Sequence, residues 1–326
     1  MSNKINISLI FVGEHAIRNI IPAIEKSSNF NIVGLYIRSE KKYNYDNFQK
    51  YKLYSEYIEA LKDKSVDCVY ISSPNNSHFK YSFEALSLKK HVICEKPLVT
   101  KLSDFNTLVK KSSIVGKCIF ESFMFEHHLQ FKSLRKTLEK KKVGKILSLS
   151  AKFGYPHLNS NNIRYSESLD GGSFFDIACY LIKFTSLILG DDFKHINISS
   201  TSQKNYEVDI SGACMIRFKT NETAFLDWGI GRSYSNEIDL WTENYRIKAN
   251  KFFSKNSSVS TKITLSPSLG DDEVIEIEPM DHFKFMFDEY FKVIISKDKY
   301  KNYLLSMSKY QNLYFSIKKS LDRHKI

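Results

Sequence analysis

The chain is predicted to be an α/β protein of two domains: a doubly wound parallel sheet, then an α+β domain built on a mostly antiparallel open sheet. The first 120 residues alternate short apolar runs with segments of helical period, which is typical of a parallel sheet covered by helices. After Phe131 the pattern changes to longer stretches of period-two alternation, which indicate antiparallel strands. A length of 326 residues also suits two domains of ordinary size.

The first domain is predicted over residues 1–122. It opens with a strand from Ile5 to Phe11, followed by isoleucines at helical spacing and a second strand over residues 32–37. Pro22 lies inside that first helix, where it should kink the helix or shift its start. The later elements are strands at Val66–Ser72, His91–Cys94 and Lys117–Phe120 and helices at Ser77–Lys89 and Ser103–Val115.

The second domain is predicted over residues 123–326. Its helices are expected at Ser133–Lys142, at Gly172–Leu189 and as a pair after Asp281. Its strands are expected at Ile146–Gly154, Ile196–Thr201, Val208–Lys219, Thr223–Arg232, Ile238–Trp241, Tyr245–Lys251, Lys262–Ser266 and Val274–Glu278. No linker rich in Gly, Pro or Ser separates the domains, so we expect close packing and a ligand cleft. A sheet face rich in Val, Ile and Phe is expected to join copies into a homodimer or homotetramer.

The composition indicates a folded chain outside the membrane. Hydrophobic residues make up 42% and charged residues 26%, with 12 Gly and 6 Pro, which argues against disorder and low complexity. The longest candidate span, residues 181–190, is short and interrupted by Lys183, whereas a spanning helix needs about 20 apolar residues. The amino terminus lacks the pattern of a signal peptide, so we expect a cytoplasmic protein. The five cysteines include no Cys-x-x-Cys pair and are expected to be reduced.

The net charge of +12 does not predict nucleic-acid binding. Of the 48 basic residues 40 are Lys, and they are scattered along the chain instead of being clustered on one helix or loop. A specific nucleic-acid reader more often clusters Arg for bidentate contacts to bases. Solvated lysine faces are the simpler interpretation. The positive field would still favour a phosphorylated or nucleotide-linked substrate.

The first strand-to-helix turn, F-V-G-E-H-A at residues 11–16, partly matches a phosphate-binding turn. Such a turn normally has the pattern G-x-G-x-x-G/A, because the phosphates need a tight turn and a bare backbone. Gly13 and Ala16 keep two of the three small positions, whereas Phe11 replaces the first glycine. Glu14 would place an unfavourable negative charge near a diphosphate. Taken alone, the turn is as typical of a core turn as of a nucleotide site.

The end of the second strand favours NADP over NAD. An NAD site usually carries Asp or Glu there for the ribose hydroxyls, but this chain has Arg38 and Ser39, followed by Lys41 and Lys42. The planar guanidinium of Arg38 could pair with a ribose 2'-phosphate. A solvated basic turn would have the same composition, so the residues alone leave both interpretations open.

Two segments further along the first domain carry a family resemblance. The strand ending at Ser72 leads into S-P-N-N-S-H at residues 73–78, and the strand H-V-I-C leads into E-K-P at residues 95–97. This pattern, continued by F-E-S-F-M-F at 120–125, resembles the glucose-fructose oxidoreductase, inositol dehydrogenase and MocA family of NAD(P)-dependent oxidoreductases. The resemblance implies a Rossmann dinucleotide-binding domain. The cofactor contacts it implies are Gly13, Ala16, Arg38, Ser39, Ser73, Asn75, His78, Glu95 and Lys96.

The second domain contains segments similar to those that carry the family's catalytic pair. They are F-G-Y-P at 153–156, N-I-R-Y at 162–165, Gly171-Gly172, and the helix with Asp176 and Tyr180. Inositol dehydrogenase-like members have His where this chain has Tyr180, whereas members resembling dihydrodiol dehydrogenase and nucleotide-sugar 3-ketoreductases have Tyr. The first two segments favour the ketoreductases. The implied substrate-binding residues are Lys96, Arg164, Asp176 and Tyr180.

Reduction of a ketone gives these residues chemical roles. Hydride transfer builds negative charge on the carbonyl oxygen, so the site needs a proton donor and a positive neighbour that lowers the donor's pKa. Tyr180 would donate the proton, and Lys96 would stabilise the oxyanion and hold the nicotinamide ribose. Asp176, one helical turn before Tyr180, would orient Lys96 or the sugar hydroxyls. Without the resemblance, a tyrosine on an apolar helix is more often a core aromatic.

Departures from the family pattern keep two alternatives open. Glu126-His127-His128-Leu129 stands where the family often has Arg or Asn before an aromatic, His and Pro, and Phe11 and Glu14 are also unusual. The two histidines predict no metal site, since they project apart and no carboxylate or Cys completes a ligand set. The leading hypothesis is an NADP-preferring reductase of a keto group on a sugar, activated by a nucleotide. The alternatives are a dehydrogenase of a free polyol or dihydrodiol, and a catalytically silent paralogue that binds sugar or nucleotide.

Overall fold

The structure is a computed structural model that describes residues 4–38, 48–203 and 205–323. The chain forms two compact units, the first made of Met1–Ser122 with Phe283–Leu304 and the second of Phe123–His282 with Leu305–Ile326. The sequence prediction placed every residue after 122 in the second domain. The structure differs in assigning residues 283–304 to the first unit.

The first unit contains a six-stranded parallel sheet in the order β3-β2-β1-β4-β5-β6. Its strands are β1 (Ile5–Ile10), β2 (Phe30–Tyr36), β3 (Lys52–Leu53), β4 (Cys68–Ile71), β5 (His91–Cys94) and β6 (Ile119–Glu121). Its first four helices are α1 (Ile21–Lys26), α2 (Tyr57–Lys62), α3 (His78–Ser87) and α4 (Leu102–Val115). The strand order reverses between β1 and β4, and in open α/β sheets ligands bind outside the carboxyl ends of strands at such a point.

Two short elements of the first unit were missed by the sequence prediction. The strand β3 is two exposed residues long, and α2 has six residues, so neither is long enough for a clear hydrophobic period. A reciprocal capping box between Glu56 and Glu59 starts α2. The predicted effect of Pro22 is confirmed: a π-helical turn over Ala16–Ile20 precedes α1, and the proline lies in the first turn of α1.

Aromatic packing explains why residues 283–304 join the first unit. The helix α7 (His282–Ile294) lays Tyr290 on Phe120 of β6, with ring centroids 4.4 Å apart. Phe287, on the same helix, contacts the rings of Phe30 and Tyr70 at 5.6 and 6.0 Å. Apolar rings from three strands of the sheet therefore bury one face of α7, although the helix is remote from them in sequence.

The second unit is built on an eight-stranded sheet in the order β14-β13-β12-β11-β7-β10-β9-β8. The strands are β7 (Ile146–Tyr155), β8 (Phe193–Ser202), β9 (Asp209–Phe218), β10 (Thr223–Ile230), β11 (Ser235–Thr242), β12 (Tyr245–Asn250), β13 (Thr261–Pro267) and β14 (Glu273–Ile277). All neighbouring strands are antiparallel except β7 and β10, which are parallel. The predicted fold class, a Rossmann sheet followed by a mostly antiparallel open sheet, is thereby confirmed.

The second unit contains the helices α5 (Leu129–Leu138) and α6 (Cys179–Leu189) and the greater part of α8 (Lys297–Arg323). The helix α5 begins four residues before the predicted start, because the side chain of His128 caps it by accepting from the backbone N–H of Gln130. The segment Glu167–Leu189 is long and apolar enough to span a membrane, yet 72% of its most apolar window is buried. It is the core helix region of this unit.

The outer face of the eight-stranded sheet differs in composition from the prediction. The Val, Ile and Leu side chains of the strands are largely buried, whereas exposed positions carry many charged residues, including the ion pair of Asp239 and Arg246. Apolar side chains also reach this surface at Met215, Phe225 and Trp241. The expectation of a face rich in Val, Ile and Phe was therefore wrong, because the period-two alternation turns those residues inward.

Candidate active site

The turn after β1 keeps a glycine-like backbone although its first residue is Phe11. Phe11 has a φ of 60°, in the left-handed region that costs a non-glycine residue about 1 to 2 kcal/mol. Its ring packs against Tyr81, Tyr36 and Tyr57, with centroid distances of 4.3, 5.1 and 5.6 Å. These contacts offset the strain, so the turn retains its tight shape without the glycine.

Gly13 and Ala16 form the part of this turn that fits a dinucleotide. A Cβ atom added at Gly13 would meet nothing within 4 Å, so the backbone there is open to a close approach by a phosphate. The Gly13 carbonyl accepts from the N–H of Ile17, and the fully buried Ala16 starts the helical turn. Glu14 is exposed and lies 3.5 Å from Arg18, whose charge reduces its field. The residues present fit the cofactor that the fold implies.

Arg38 lies at the carboxyl end of β2, beside the aromatic cluster of Phe11. Burial raises the pKa of the nearby Tyr81 phenol, and the positive charge of Arg38 opposes that rise. Its guanidinium is exposed, as a contact to a ribose phosphate requires. The neighbouring Ser39, Lys41 and Lys42 lie outside the described residues.

The loop after β4 is fastened to the segment after β5 by His78. This side chain is buried, and its Nδ1 and Nε2 lie 2.8 and 2.7 Å from the backbone carbonyl oxygens of Pro97 and Ser73. The Ser77 hydroxyl also donates to the Ser73 hydroxyl at 2.9 Å. His78 therefore supports both loops from inside, whereas Asn75 lies half-buried in a single 3₁₀ turn between them.

Glu95 is held by two side chains of the first unit. The Tyr70 hydroxyl donates to Glu95 Oε1, and His15 Nε2 lies 3.4 Å from the same oxygen. Burial alone would raise the pKa of Glu95, but the charge and hydrogen bond of His15, with the bond from Tyr70, lower it to about 2. The next residue, Lys96, is half-buried and precedes Pro97 through a cis peptide bond. His15 thus links the phosphate turn to the E-K-P segment.

In the second unit, Asp209 fixes the start of the helix that carries Asp176 and Tyr180. Its Oδ2 accepts from the N–H of Phe174 at 2.7 Å and from the Ser173 hydroxyl. Gly172 has a φ of 104°, and a Cβ there would lie 2.3 Å from Asp209 Oδ1, so only glycine fits. The helix begins as a π-helical turn over Phe174–Ala178 and continues as α6.

Asp176 is held by two residues of its own unit. The Tyr155 hydroxyl donates to Asp176 Oδ2, and Arg164 Nε lies 2.9 Å from the same oxygen. Burial and the charge of Asp176 raise the pKa of Tyr155, and the charge of Asp176 raises the pKa of Arg164. The structure therefore brings Arg164 and Asp176 into contact, and Tyr180 follows Asp176 by four residues on the same helical segment.

The Tyr180 ring is 7% exposed and fixed by aromatic packing. Phe123 and Phe153 meet it edge to face, with centroids 5.5 and 5.6 Å away. Its hydroxyl lies 3.8 Å from Met124 Sδ, which is a weak acceptor. The packing holds the phenol in one orientation without binding it strongly through this sulfur.

The unusual Glu126 forms an ion pair with the same helix. Its Oε2 lies 3.3 Å from Nζ of Lys183, three residues after Tyr180. The Lys183 ammonium also lies 5.4 Å from the ring centroid of Tyr310. Burial would raise the pKa of Glu126, but Lys183 and then His127 lower it. The negative charge of Glu126, which departs from the family pattern, is therefore compensated by Lys183 of the same unit.

Sequence reasoning missed His15 and Tyr155 as partners of the two carboxylates. Tyr155 belongs to a quoted segment, and its position at the end of β7 was a usable signal. His15 occupies a variable position of the phosphate turn, and no motif marks it. Among residues 4–38, 48–203 and 205–323, no group of three His, Cys, Asp or Glu could hold a metal ion.

The parallel sheet with its open phosphate turn defines a dinucleotide-binding domain, and a second domain on a mostly antiparallel sheet follows it. The chain belongs to the GFO/IDH/MocA family. Residues 5–123 match its NAD-binding Rossmann-fold oxidoreductase domain, and residues 131–248 match its C-terminal domain. The predicted family and the prediction of an NAD(P)-dependent oxidoreductase are thereby confirmed.

Individual relatives point to sugars as their substrates. The chain is 26% identical over 287 residues to a dTDP-3,4-didehydro-2,6-dideoxy-alpha-D-glucose 3-reductase of Actinomadura kijaniata, covering 86% of this chain and 81% of the relative. It is 24% identical to a D-xylose 1-dehydrogenase (NADP(+)) of Haloferax volcanii, covering 76% of each. The crystal structure of a 3-ketoreductase from Actinomadura kijaniata with NADP and TDP-benzene superposes with a TM-score of 0.89, at 22% identity over 98% of each chain.

Proposed function

We propose that this protein uses NADPH to reduce a keto group on a nucleotide-activated sugar. The observation that carries the proposal is the carboxylate of Asp176, held by Tyr155 and Arg164 four residues before Tyr180. A carboxylate accepts hydrogen bonds from sugar hydroxyls, and a neighbouring phenol can protonate a carbonyl oxygen. The names of the ketoreductase relatives support the substrate class.

Tyr180 is assigned the proton transfer. Its ring is fixed by Phe123 and Phe153, so the substrate would meet an oriented hydroxyl. The cation of Arg164 is held on Asp176, four residues before Tyr180, and a positive neighbour would favour the phenolate left after proton donation. Asp176 would orient the sugar through its hydroxyl groups.

Lys96 is assigned the charge that develops on the substrate oxygen. The bound cofactor supplies the hydride, while the chain supplies the proton and the stabilising cation. Lys96 follows Glu95, whose carboxylate is fixed by Tyr70 and His15. This anchored neighbour restricts the backbone from which the lysine extends.

The proposed preference for NADPH rests on Arg38. The exposed guanidinium after β2 can form a charged pair with a ribose 2'-phosphate. Arg38 also lies near Tyr81 of the aromatic cluster around Phe11. Gly13 and Ala16 would receive the diphosphate, with Ser73 and Asn75 on the neighbouring loop. Both the xylose dehydrogenase and the crystallised ketoreductase are named with NADP.

The proposal includes a cytoplasmic homodimer or homotetramer formed through the outer face of the eight-stranded sheet. That face carries Met215, Phe225 and Trp241 among charged residues. An interface of mixed character should weaken with added salt if its ion pairs contribute. Sedimentation at micromolar concentration tests the assembly, and a monomer at low salt would contradict it. Cell fractionation tests the location.

The test of function starts with binding and then compares substrates. Titrations with NADPH and NADH, followed by fluorescence, should give tighter binding of NADPH. Absorbance at 340 nm should then fall with a nucleotide-linked 3-keto sugar, and no comparable reaction should occur with a free polyol or dihydrodiol and NADP+. Binding of neither cofactor would overturn the proposal in favour of a silent paralogue. Faster turnover of a free polyol would overturn the substrate class.

A further inference from the structure

Three aromatic rings of the second unit pack together, with Tyr206 nearly parallel to each of the other two and His157 and Tyr165 tilted by 39° to one another. The Tyr206 ring stacks on Tyr165 with centroids 4.5 Å apart and 25° between planes. The His157 imidazole lies 5.8 Å from Tyr206 and is tilted by only 17°. We call His157, Tyr165 and Tyr206 the aromatic stack. It takes no part in the chemistry assigned above.

The backbone around the aromatic stack is built to hold it. Gly231 has a φ of 80°, and a Cβ there would lie 2.2 Å from His157 Nε2, so the imidazole occupies space that only glycine leaves free. The Tyr165 hydroxyl accepts from the N–H of Leu158 at 2.9 Å and lies 3.2 Å from His157 Nδ1. Tyr165 is buried, His157 is exposed, and Tyr206 is half-buried. Part of the stack therefore faces solvent.

Two members of the stack are tied to Asp176 by very short stretches of chain. His157 is two residues after Tyr155, whose hydroxyl donates to Asp176. Tyr165 is the residue after Arg164, whose guanidinium pairs with the same carboxylate. Two separate segments of the chain therefore connect the rings of His157 and Tyr165 to the carboxylate of Asp176.

Two further contacts fix the stack to the start of the catalytic helix. The N–H of Gly172 donates to the Arg164 carbonyl at 2.8 Å, and a Cβ at Gly171 would lie 2.6 Å from that oxygen. Tyr206 precedes by three residues Asp209, which accepts from Ser173 and Phe174 at the helix start. Every ring of the stack is therefore within three residues of a group bonded to the helix segment that carries Asp176.

We propose that the aromatic stack binds the base of a nucleoside diphosphate whose attached sugar reaches Asp176 and Tyr180. A flat base offers a π face that stacks on tyrosine and histidine rings. This inference rests on the proposed function, since it assigns the nucleotide end of the same substrate. It names a recognition element that the reduction chemistry does not require.

Charge beside the stack suits the diphosphate that would join base and sugar. The side chain of Arg164 is 39% exposed, and Arg164 directly precedes Tyr165 of the stack. Its guanidinium already pairs with Asp176, so a diphosphate would share this cation.

The test measures binding of dTDP and UDP by calorimetry with the protein saturated with NADP+, so that the cofactor site is filled. Tyr206→Ala should weaken the tighter of the two ligands about 10- to 100-fold, the range for losing one base-stacking contact. Tyr206→Phe keeps the ring and should bind within about threefold of wild type. Tyr234→Ala is the matched control, since Tyr234 is a 57% exposed tyrosine of the same unit outside the stack. Unchanged melting temperatures would verify folding.

The outcomes separate this inference from the proposed function. If Tyr206→Ala and Tyr234→Ala bind the nucleotide equally well, or if neither dTDP nor UDP binds to the wild type, the assignment of the stack is overturned. If nucleotide binding depends on the Tyr206 ring but no keto sugar is reduced, the stack stands and the proposed reaction fails. Inorganic diphosphate should bind equally to wild type and Tyr206→Ala, because it has no base.

Discussion

The two units each hold one carboxylate in the same way but with different cations. Glu95 in the first unit accepts from the Tyr70 hydroxyl and pairs with His15. Asp176 in the second accepts from the Tyr155 hydroxyl and pairs with Arg164. The second partner is an imidazole in the first unit and the planar guanidinium of an arginine, which remains protonated, in the second. The two sites therefore share a tyrosine donor and differ in the cation that completes the carboxylate's environment.

The departures from the family pattern fall differently in the two units. Phe11 and Glu14 alter the phosphate turn itself, and each is accommodated locally, by tyrosine rings or by Arg18. Glu126 alters the second unit, where Lys183 on α6 forms an ion pair with it. An unusual residue therefore weakens the case for function only if its surroundings leave it uncompensated.

The largest expected effect comes from Lys96→Ala. This change removes the cation assigned to the developing oxyanion and a proposed ribose contact, so turnover should fall by at least ~10² to 10⁴. NADPH affinity should fall as well, because the ribose contact is lost. The measurement is steady-state reduction of a keto-sugar nucleotide with a parallel fluorescence titration of NADPH. Wild-type turnover in this variant would remove Lys96 from the reaction.

A pH titration of stability tests the carboxylate pair of the first unit. The pKa of Glu95 is lowered to about 2, so its ionised form stabilises the fold above about pH 4.5, and that contribution disappears as the pH falls towards 2. The loss should reach about 3 kcal/mol in the free energy of unfolding at pH 2. Chemical denaturation of wild type and Glu95→Gln between pH 6 and 2 measures it. Parallel curves for the two proteins would show that Glu95 gains nothing from its partners.

Arg38→Ala tests whether Arg38 gives the first unit its preference for NADPH over NADH. Losing a charged hydrogen bond should weaken NADPH by ~1.5 to 3 kcal/mol and leave NADH nearly unchanged. Fluorescence titration with both cofactors provides the comparison. Arg217→Ala is a suitable control, because that exposed arginine belongs to the second unit and has no assigned cofactor contact. Equal weakening of NADPH and NADH would contradict the role of Arg38.

The smallest effect is expected from Phe11→Gly. The turn already has the left-handed backbone that glycine favours, so NADPH affinity should stay within about threefold of wild type. Stability should change by about 1 kcal/mol or less, since relief of strain opposes the lost packing on Tyr81. A tenfold or greater gain in NADPH affinity would show instead that the Phe11 ring obstructs the site.

The sequence predicted the long strands β9 and β10 to within two residues at each end, because each has a clear hydrophobic period. The short strand β5 was predicted with its observed bounds, and two helices were expected after Asp281, where α7 and α8 lie. The hydrophobic period of a segment does not show which other elements it packs against in the folded chain. It could not assign α7 to the first unit, where Phe287 and Tyr290 pack on the sheet.

The candidate site was predictable only as far as motifs extend. Asp176 and Tyr180 were located from their segment, but the π-helical turn between Phe174 and Ala178 was not, because it depends on how the helix start is held by Asp209. His15 acts through a contact with Glu95, eighty residues away in sequence. Such contacts are set by the folded chain and leave no local signature.

The central claim is that Tyr180 donates the proton to a reduced carbonyl. Tyr180→Phe removes one hydroxyl and little volume, and the ring contacts with Phe123 and Phe153 should survive, so folding and NADPH affinity should be retained. Single-turnover hydride transfer to a keto-sugar nucleotide, followed at 340 nm, should slow by ~10² to 10⁴. The double variant with Lys96→Ala should be little slower than the slower single one, as expected for residues that act as a unit. Hydride transfer at the wild-type rate in Tyr180→Phe would contradict the account and identify Tyr180 as a core aromatic.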